Sequence, residues 1–151
     1  KRQQYSALRV ARFLESHPLV EEVSYPGLPG FRQRALARRQ MKDFDGDFAP
    51  GNMIYFRVKK NLVDPVGFVD DVASRAYSVT LAVSLGHVKT LIEVPSGMTH
   101  SAYACGGAMR TVDGIRLSIG LESPSDIIKD LDASLKRVAR NPKAKALAPS
   151  R

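Results

Sequence analysis

Cysteine is nearly missing from this sequence: Cys105 is the single one among 151 residues. It has no partner within the chain, so an internal disulfide is excluded and a reducing cytoplasm is the expected compartment. Long hydrophobic runs are missing too. No stretch approaches the ~18 apolar residues of a membrane-spanning helix, and the opening KRQQYSALRV carries no signal-peptide hydrophobic region. His17, His87 and His100 form no pair with carboxylates at metal-ligand spacing. The expectation is a chain with no membrane partner and no metal.

Acidic residues are in short supply, 15 against 23 basic ones, which leaves a net charge of +8. Such an excess raises the question of nucleic acid. The densest basic cluster is Arg32, Arg34, Arg38 and Arg39, in FRQRALARRQ. It falls over about two helical turns and leaves Phe31, Ala35 and Leu36 to pack elsewhere. No RNP, zinc-finger or KH signature accompanies it, so a solvated helix face is expected and no nucleic-acid partner. Asp43, Asp45 and Asp47 invite a calcium loop, but the EF-hand pattern then needs glycine and a terminal glutamate. Those positions hold Phe48 and Ile54, and the calcium reading fails.

What is present describes an ordinary globular domain, with 44% apolar and 25% charged residues. Tyr5, Leu8, Val10, Ala11 and Leu14 recur at helical spacing until Pro18. LVEEVSY alternates as a strand, PGLPG is a turn-rich connector, and a helix is expected from about Phe31 to Met41. NMIYFRVKK is rich in strand formers. Asp64 followed by Pro65 opens a further helix, with the acid as N-cap and the proline at the first helical position. VTLAVSLG reads as a strand ended by Gly86, and KTLIEVP as another extended piece. SGMTHSAYACGGAMRTVDG is the least regular segment. GIRLSIG alternates again, and Ser123, Pro124 and Asp126 then make a capping-box-like helix start. NPKAKALAPSR is expected to be disordered. This order of elements predicts an α+β fold, a mixed and mainly antiparallel sheet with helices packed on one face.

One cation in this pattern asks for an explanation. Arg116 stands in the short strand IRLS, just before a helix. It either faces water or holds an anion, and its planar fork of donors suits a carboxylate.

Four stretches bear on the choice: ALRVARFLESHPLVEEVSYPGLPG, ALARRQM, LAVSLGHVKTLIEVPSGMTHSAY and DGIRLSIGLESPSDIIKDLDASL. In order and spacing they resemble the C-terminal part of the Cys/Met-metabolism family of pyridoxal-phosphate enzymes. That family includes cystathionine γ-synthase, cystathionine γ-lyase, methionine γ-lyase and their sulfhydrylase relatives. The resemblance runs from about Ser6 to Leu135. It implies the small α+β domain of a fold-type I enzyme, a lyase or transferase acting on sulfur amino acids and assembled as a homotetramer. It also implies that Arg116 binds the α-carboxylate of the substrate and that Ser84, in SLG, lies at the same site. The residue before that serine is often glutamate in cystathionine-handling members; here it is Val83. LAVSLG, MTHSAY and RLSIGLESPSDII stand nearest methionine γ-lyase.

The same resemblance makes some features conspicuous by omission. The family's Schiff-base lysine sits in a Ser-x-Thr-Lys context, and none of Lys1, Lys42, Lys59, Lys60, Lys89, Lys129, Lys136, Lys143 or Lys145 does. There is no glycine-rich phosphate cradle either. Residues 1–140 are therefore expected to be the small domain, with 1–17 part of the helix leading from an absent cofactor domain and 141–151 a tail. Pyridoxal phosphate would be bound by that absent domain, which is the expected partner together with the sulfur amino acid. The chain alone should be inactive, and apolar faces left uncovered should favour self-association. The alternative is a non-catalytic remnant that acts as a binding or assembly module.

The remaining candidates have plainer readings. His100 is expected to be structural, His87 and His17 to lie at the surface, Tyr103 to pack, and Cys105 to lack a partnered base. ACGGAM is shorter than the acidic helical segment usual in the family, which bears on substrate access.

Overall fold

Alternating apolar residues build the centre of the molecule. The computed structural model describes residues 1–95 and 114–140. In it five strands form one sheet: β1 (Val20–Ser24), β2 (Met53–Val58), β3 (Val79–Leu81), β4 (Thr90–Glu93) and β5 (Ile115–Ser118). Their spatial order is β1-β2-β5-β4-β3, so the strand latest in the sequence lies in the middle. Three of the four pairings are antiparallel and only β3–β4 is parallel. The expected α+β class and mixed sheet are both present.

Register sorts the side chains into two faces. Ile92, Leu117 and Ile54 line up across β4, β5 and β2, and Ile115 stands beside Phe56 in the next row. These are buried and meet helices α1 (Arg2–Ser16), α3 (Pro65–Arg75) and α4 (Pro124–Arg140) in one core. Ala7, Val10, Ala11 and Leu14 come from α1, Phe68, Val69 and Val72 from α3, and Ile127, Leu131 and Leu135 from α4. Truncating one of these large aliphatics to alanine costs about 2–5 kcal/mol. The opposite face carries the rows Glu93–Arg116–Tyr55 and Leu91–Ser118–Met53.

The caps follow the sequence signals. The Asp64 carboxylate accepts the Gly67 amide at 2.7 Å, and Pro65 fills the first position of α3. Tyr25 is fully buried and donates to the Gly51 carbonyl at 2.9 Å; burial pushes its phenol up to about 12. Among the described residues no helix is long and apolar enough to cross a membrane.

Three local expectations need correction. Helix α2 (Arg34–Gln40) begins later than Phe31. Before it the chain makes successive tight turns, Leu28 accepting from Phe31 and Phe31 from Arg34, as the glycine- and proline-containing PGLPG demands. The VTLAVSLG strand stops at Leu81: the Ala82 amide still reaches the Ile92 carbonyl, but beyond it the Val83 and Ser84 carbonyls and the Gly86 amide are taken by side chains of β5 instead of a ladder. His17 is buried rather than exposed: it accepts the Leu19 amide at Nδ1 and faces Asp132 through Nε2. His87 is exposed, as expected. His100, Tyr103, Cys105 and residues 141–151 lie outside the described residues.

Candidate functional site on the central strand

A cation in the middle of a sheet is held more rigidly than one on a loop. Arg116 has β2 on one side and β4 on the other, with Tyr55 and Glu93 as its cross-strand neighbours. Its side chain is 23% exposed and reaches the loop that joins β3 to β4. There Nη2 donates to the carbonyls of Val83 at 3.0 Å and Ser84 at 3.1 Å. The same nitrogen lies 2.9 Å from Oε1 of Glu93. The structure thus brings the sequence-predicted residues Arg116, Ser84 and Val83 together. It engages Ser84 through its carbonyl oxygen and leaves the residue exposed.

The 82–89 loop is fixed along its length. The Gly86 amide donates to Ser118 Oγ at 2.9 Å, two positions after Arg116 on the same strand face. Gly86 itself has φ 71°, a left-handed conformation that glycine adopts at little cost. Gln3 Nε2 donates to the His87 carbonyl at 2.9 Å, and the Leu121 amide to the Val88 carbonyl at 2.7 Å. Glu122 accepts the Thr90 amide and hydroxyl, and Thr90 Oγ1 in turn accepts the Gly120 amide. A Cβ at Gly120 would strike the Val88 carbonyl, so only glycine lets β5 pass this close to the loop. The rim of the loop is apolar: Val83, Leu85 and Val88 are each more than half exposed.

Burial raises the Tyr55 phenol above its ordinary value; Glu22 adds to the shift and Arg57 opposes it. The acidic DFDGDF loop is occupied internally. Asp43 Oδ1 accepts the amides of Asp45 and Asp47, and Lys1 pairs with Asp43 and Asp45. Among the described residues no cluster of His, Cys, Asp or Glu is suited to a metal. The lysines at 1, 42, 59, 60, 89, 129 and 136 are all exposed, Lys89 being the one on the site loop.

Sequence reasoning passed over Glu93. A glutamate inside TLIEV, every residue of which is buried here, was the available signal. A charge in such a strand requires a partner of opposite sign.

Comparisons with known proteins show the family and the fold to which the chain is similar. The Cys/Met metabolism PLP-dependent enzyme family matches residues 1–136. L-methionine gamma-lyase of Treponema denticola is 41% identical over 144 residues, covering 89% of this chain and 32% of the relative. Cystathionine gamma-lyase of Sus scrofa is 43% identical over 136 residues, covering 87% and 31%. The structure of cystathionine gamma synthase from Xanthomonas oryzae pv. oryzae in complex with cystathionine superimposes with a TM-score of 0.74 at 33% identity, over 92% of this chain and 34% of that one. Cystathionine gamma-lyase from Lactobacillus plantarum, complexed with L-serine, gives 0.72 at 32% identity, over 91% and 34%. The chain spans about a third of the length of the relatives it matches.

Proposed function

This chain belongs to the Cys/Met metabolism family of PLP-dependent enzymes, and on that footing we propose that it is the small domain of a sulfur amino-acid lyase or transferase, in which Arg116 receives the α-carboxylate of the substrate. The observation that carries the proposal is the placing of Arg116. It is mounted on the central strand and only partly exposed, and two carbonyl oxygens stand at 3.0 and 3.1 Å from its Nη2. Those oxygens belong to an exposed loop, and the two oxygens of a carboxylate can take their place with stronger, charge-assisted bonds.

Residues 1–140 form the proposed domain. Pyridoxal phosphate is assigned to residues beyond this chain, because the described lysines are all at the surface and nothing in the sequence has the lysine context the family uses. When bound, the cofactor supplies the electron sink for chemistry at the substrate carbons. This chain's own part is orientation. Arg116 fixes one end of the amino acid, Ser84 offers a hydroxyl beside it, and the tethered 82–89 loop keeps Ser84 in place. Val83 turns an apolar side chain outward at the same rim, which favours a thioether of the methionine type over a substrate with a charged distal end. A cytoplasmic homo-oligomer is the assembly proposed, with apolar Leu85 and Val88 available for burial against neighbouring chain.

The test is kinetic, on the polypeptide as its cell makes it, whose mass on a denaturing gel is read first. A product well above 16.6 kDa carries the catalytic reading; one at 16.6 kDa turns the search to a separate partner chain or to a non-catalytic binding module. Arg116→Lys keeps the charge opposite Glu93 and removes the fork, so its fold is preserved more safely than that of Arg116→Ala. The Michaelis constant should rise by about a hundredfold in either variant. An unchanged constant in folded Arg116→Lys rejects the clamp.

A further inference from the structure

Glu93 is the least expected side chain in the sheet. Its residue is 1% exposed, on a strand whose other members, Thr90, Leu91 and Ile92, are buried as well. Neither carboxylate oxygen accepts a well-directed hydrogen bond. Among the described residues the only compensation for that buried charge is Arg116, whose Nη2 lies 2.9 Å from Oε1 at an angle too bent for a hydrogen bond. An unpaired carboxylate at this depth is strongly destabilising, and even a paired one is often no better than an apolar residue of like volume. Stability alone gives little reason for a glutamate here.

Its position gives a better one. Glu93 and Arg116 are cross-strand partners in an antiparallel ladder, so their backbones are fixed relative to one another. The two hydrogen-bond acceptors of Nη2 are loop carbonyls at exposed residues. When a substrate carboxylate displaces those carbonyls, the guanidinium loses its hold on the loop and would be free to swing. Glu93 is the contact that does not move. We infer that Glu93 is a positioning residue, which seats the Arg116 guanidinium from the protein side so that its open side is presented to the carboxylate of the substrate. This rests on the clamp reading of Arg116 given above.

Three variants of the polypeptide as its cell makes it separate these ideas: Arg116→Lys, Glu93→Gln and Glu93→Ala. Glu93→Gln keeps the volume and an acceptor oxygen while losing the charge, and so leaves the packing around position 93 filled. The Michaelis constant for the amino acid should rise about tenfold in Glu93→Ala and about threefold in Glu93→Gln, with kcat within about twofold of the parent. A purely structural role would lower thermal stability without that split or that partial rescue. The second readout is nitrogen-15 NMR of the Arg116 side chain. Recorded with the amino acid in excess, so that the loop carbonyls are displaced, its Nη signals should be separate in the parent, from restricted rotation, and should merge in Glu93→Gln. If Glu93→Gln leaves both the Michaelis constant and the Nη signals unchanged while Arg116→Lys raises the constant, the inference on Glu93 is wrong and the clamp stands. If Arg116→Lys is also unchanged, both are wrong. If Glu93→Ala does not fold, Glu93→Gln and its NMR signals decide alone.

Discussion

His17 Nε2 lies 3.2 Å from Asp132 Oδ1 and joins the end of α1 to the middle of α4, across 115 residues of sequence. Because the Leu19 amide donates to Nδ1, the ring proton is assigned to Nε2 and points at the carboxylate. Lys136, one helical turn on, pairs with the other oxygen at 2.6 Å. This is a clasp between two helices that each present one apolar stripe to the sheet.

The clasp carries a pH dependence. Desolvation alone would raise the Asp132 carboxyl, but the hydrogen bonds from Lys136 and His17 outweigh it and hold it below the ordinary 3.8. Asp71, under Arg137, is lowered in the same way against its own desolvation. A depressed carboxyl contributes stability that is fully present above the unfolded value and is lost as pH falls through the folded one. The urea midpoint should therefore hold steady on the neutral side and fall once the pH drops below about 4. In Asp71→Asn/Asp132→Asn that acid slope should flatten. A double variant with the parental slope would show that other carboxylates govern acid unfolding.

The site loop offers a second prediction. Ser118→Ala removes the acceptor of the Gly86 amide, a cost of about 1 kcal/mol. Hydrogen exchange at Gly86 should speed up well beyond that at core amides such as Ile54. The Michaelis constant should rise severalfold while the secondary structure is retained, since the loop would no longer lie in register with Arg116. Unchanged exchange at Gly86 would mean that Gln3 and Leu121 suffice to hold the loop.

Substrate choice is the third. Val83→Glu places a carboxylate at the exposed rim beside Arg116. The ratio of kcat/KM for cystathionine over methionine should increase by about tenfold, a difference of ~1.4 kcal/mol. An unaltered ratio would remove Val83 from the specificity argument.

Much of this architecture was written locally. Asp64 with Pro65 marked the start of α3, and the alternation of NMIYFRV and IRLS gave β2 and β5, because caps and pleats depend on neighbours a few residues away. The motifs in order singled out Arg116, Ser84 and Val83, and the structure brings the three together, Arg116 donating to the carbonyls of the other two. What escaped depended on distant chemistry. The strand predicted over VTLAVSLG ends early because Arg116 and Ser118, more than 30 residues away, satisfy the backbone that a ladder would otherwise use. His17 looked like a surface residue beside Pro18, and only the approach of Asp132 explains its burial. Glu93 was hidden in a run whose alternation gave no hint that its cation lay on the next strand in space.

The late arrival of the middle strand has a consequence for how such a chain matures during synthesis. β2 and β4 are both complete by residue 93, yet no ladder can join them until Ile115–Ser118 is inserted between them. At about 5–20 residues per second, a ribosome leaves two bare strand edges waiting for roughly a second or more. Such edges are templates for pairing with other chains. The segment that closes the gap is the one that carries Arg116, so the sheet is sealed and the cation proposed as the carboxylate clamp is installed in a single event. A nascent chain that stalls earlier has neither a finished sheet nor the proposed clamp, and both depend on the same missing residues.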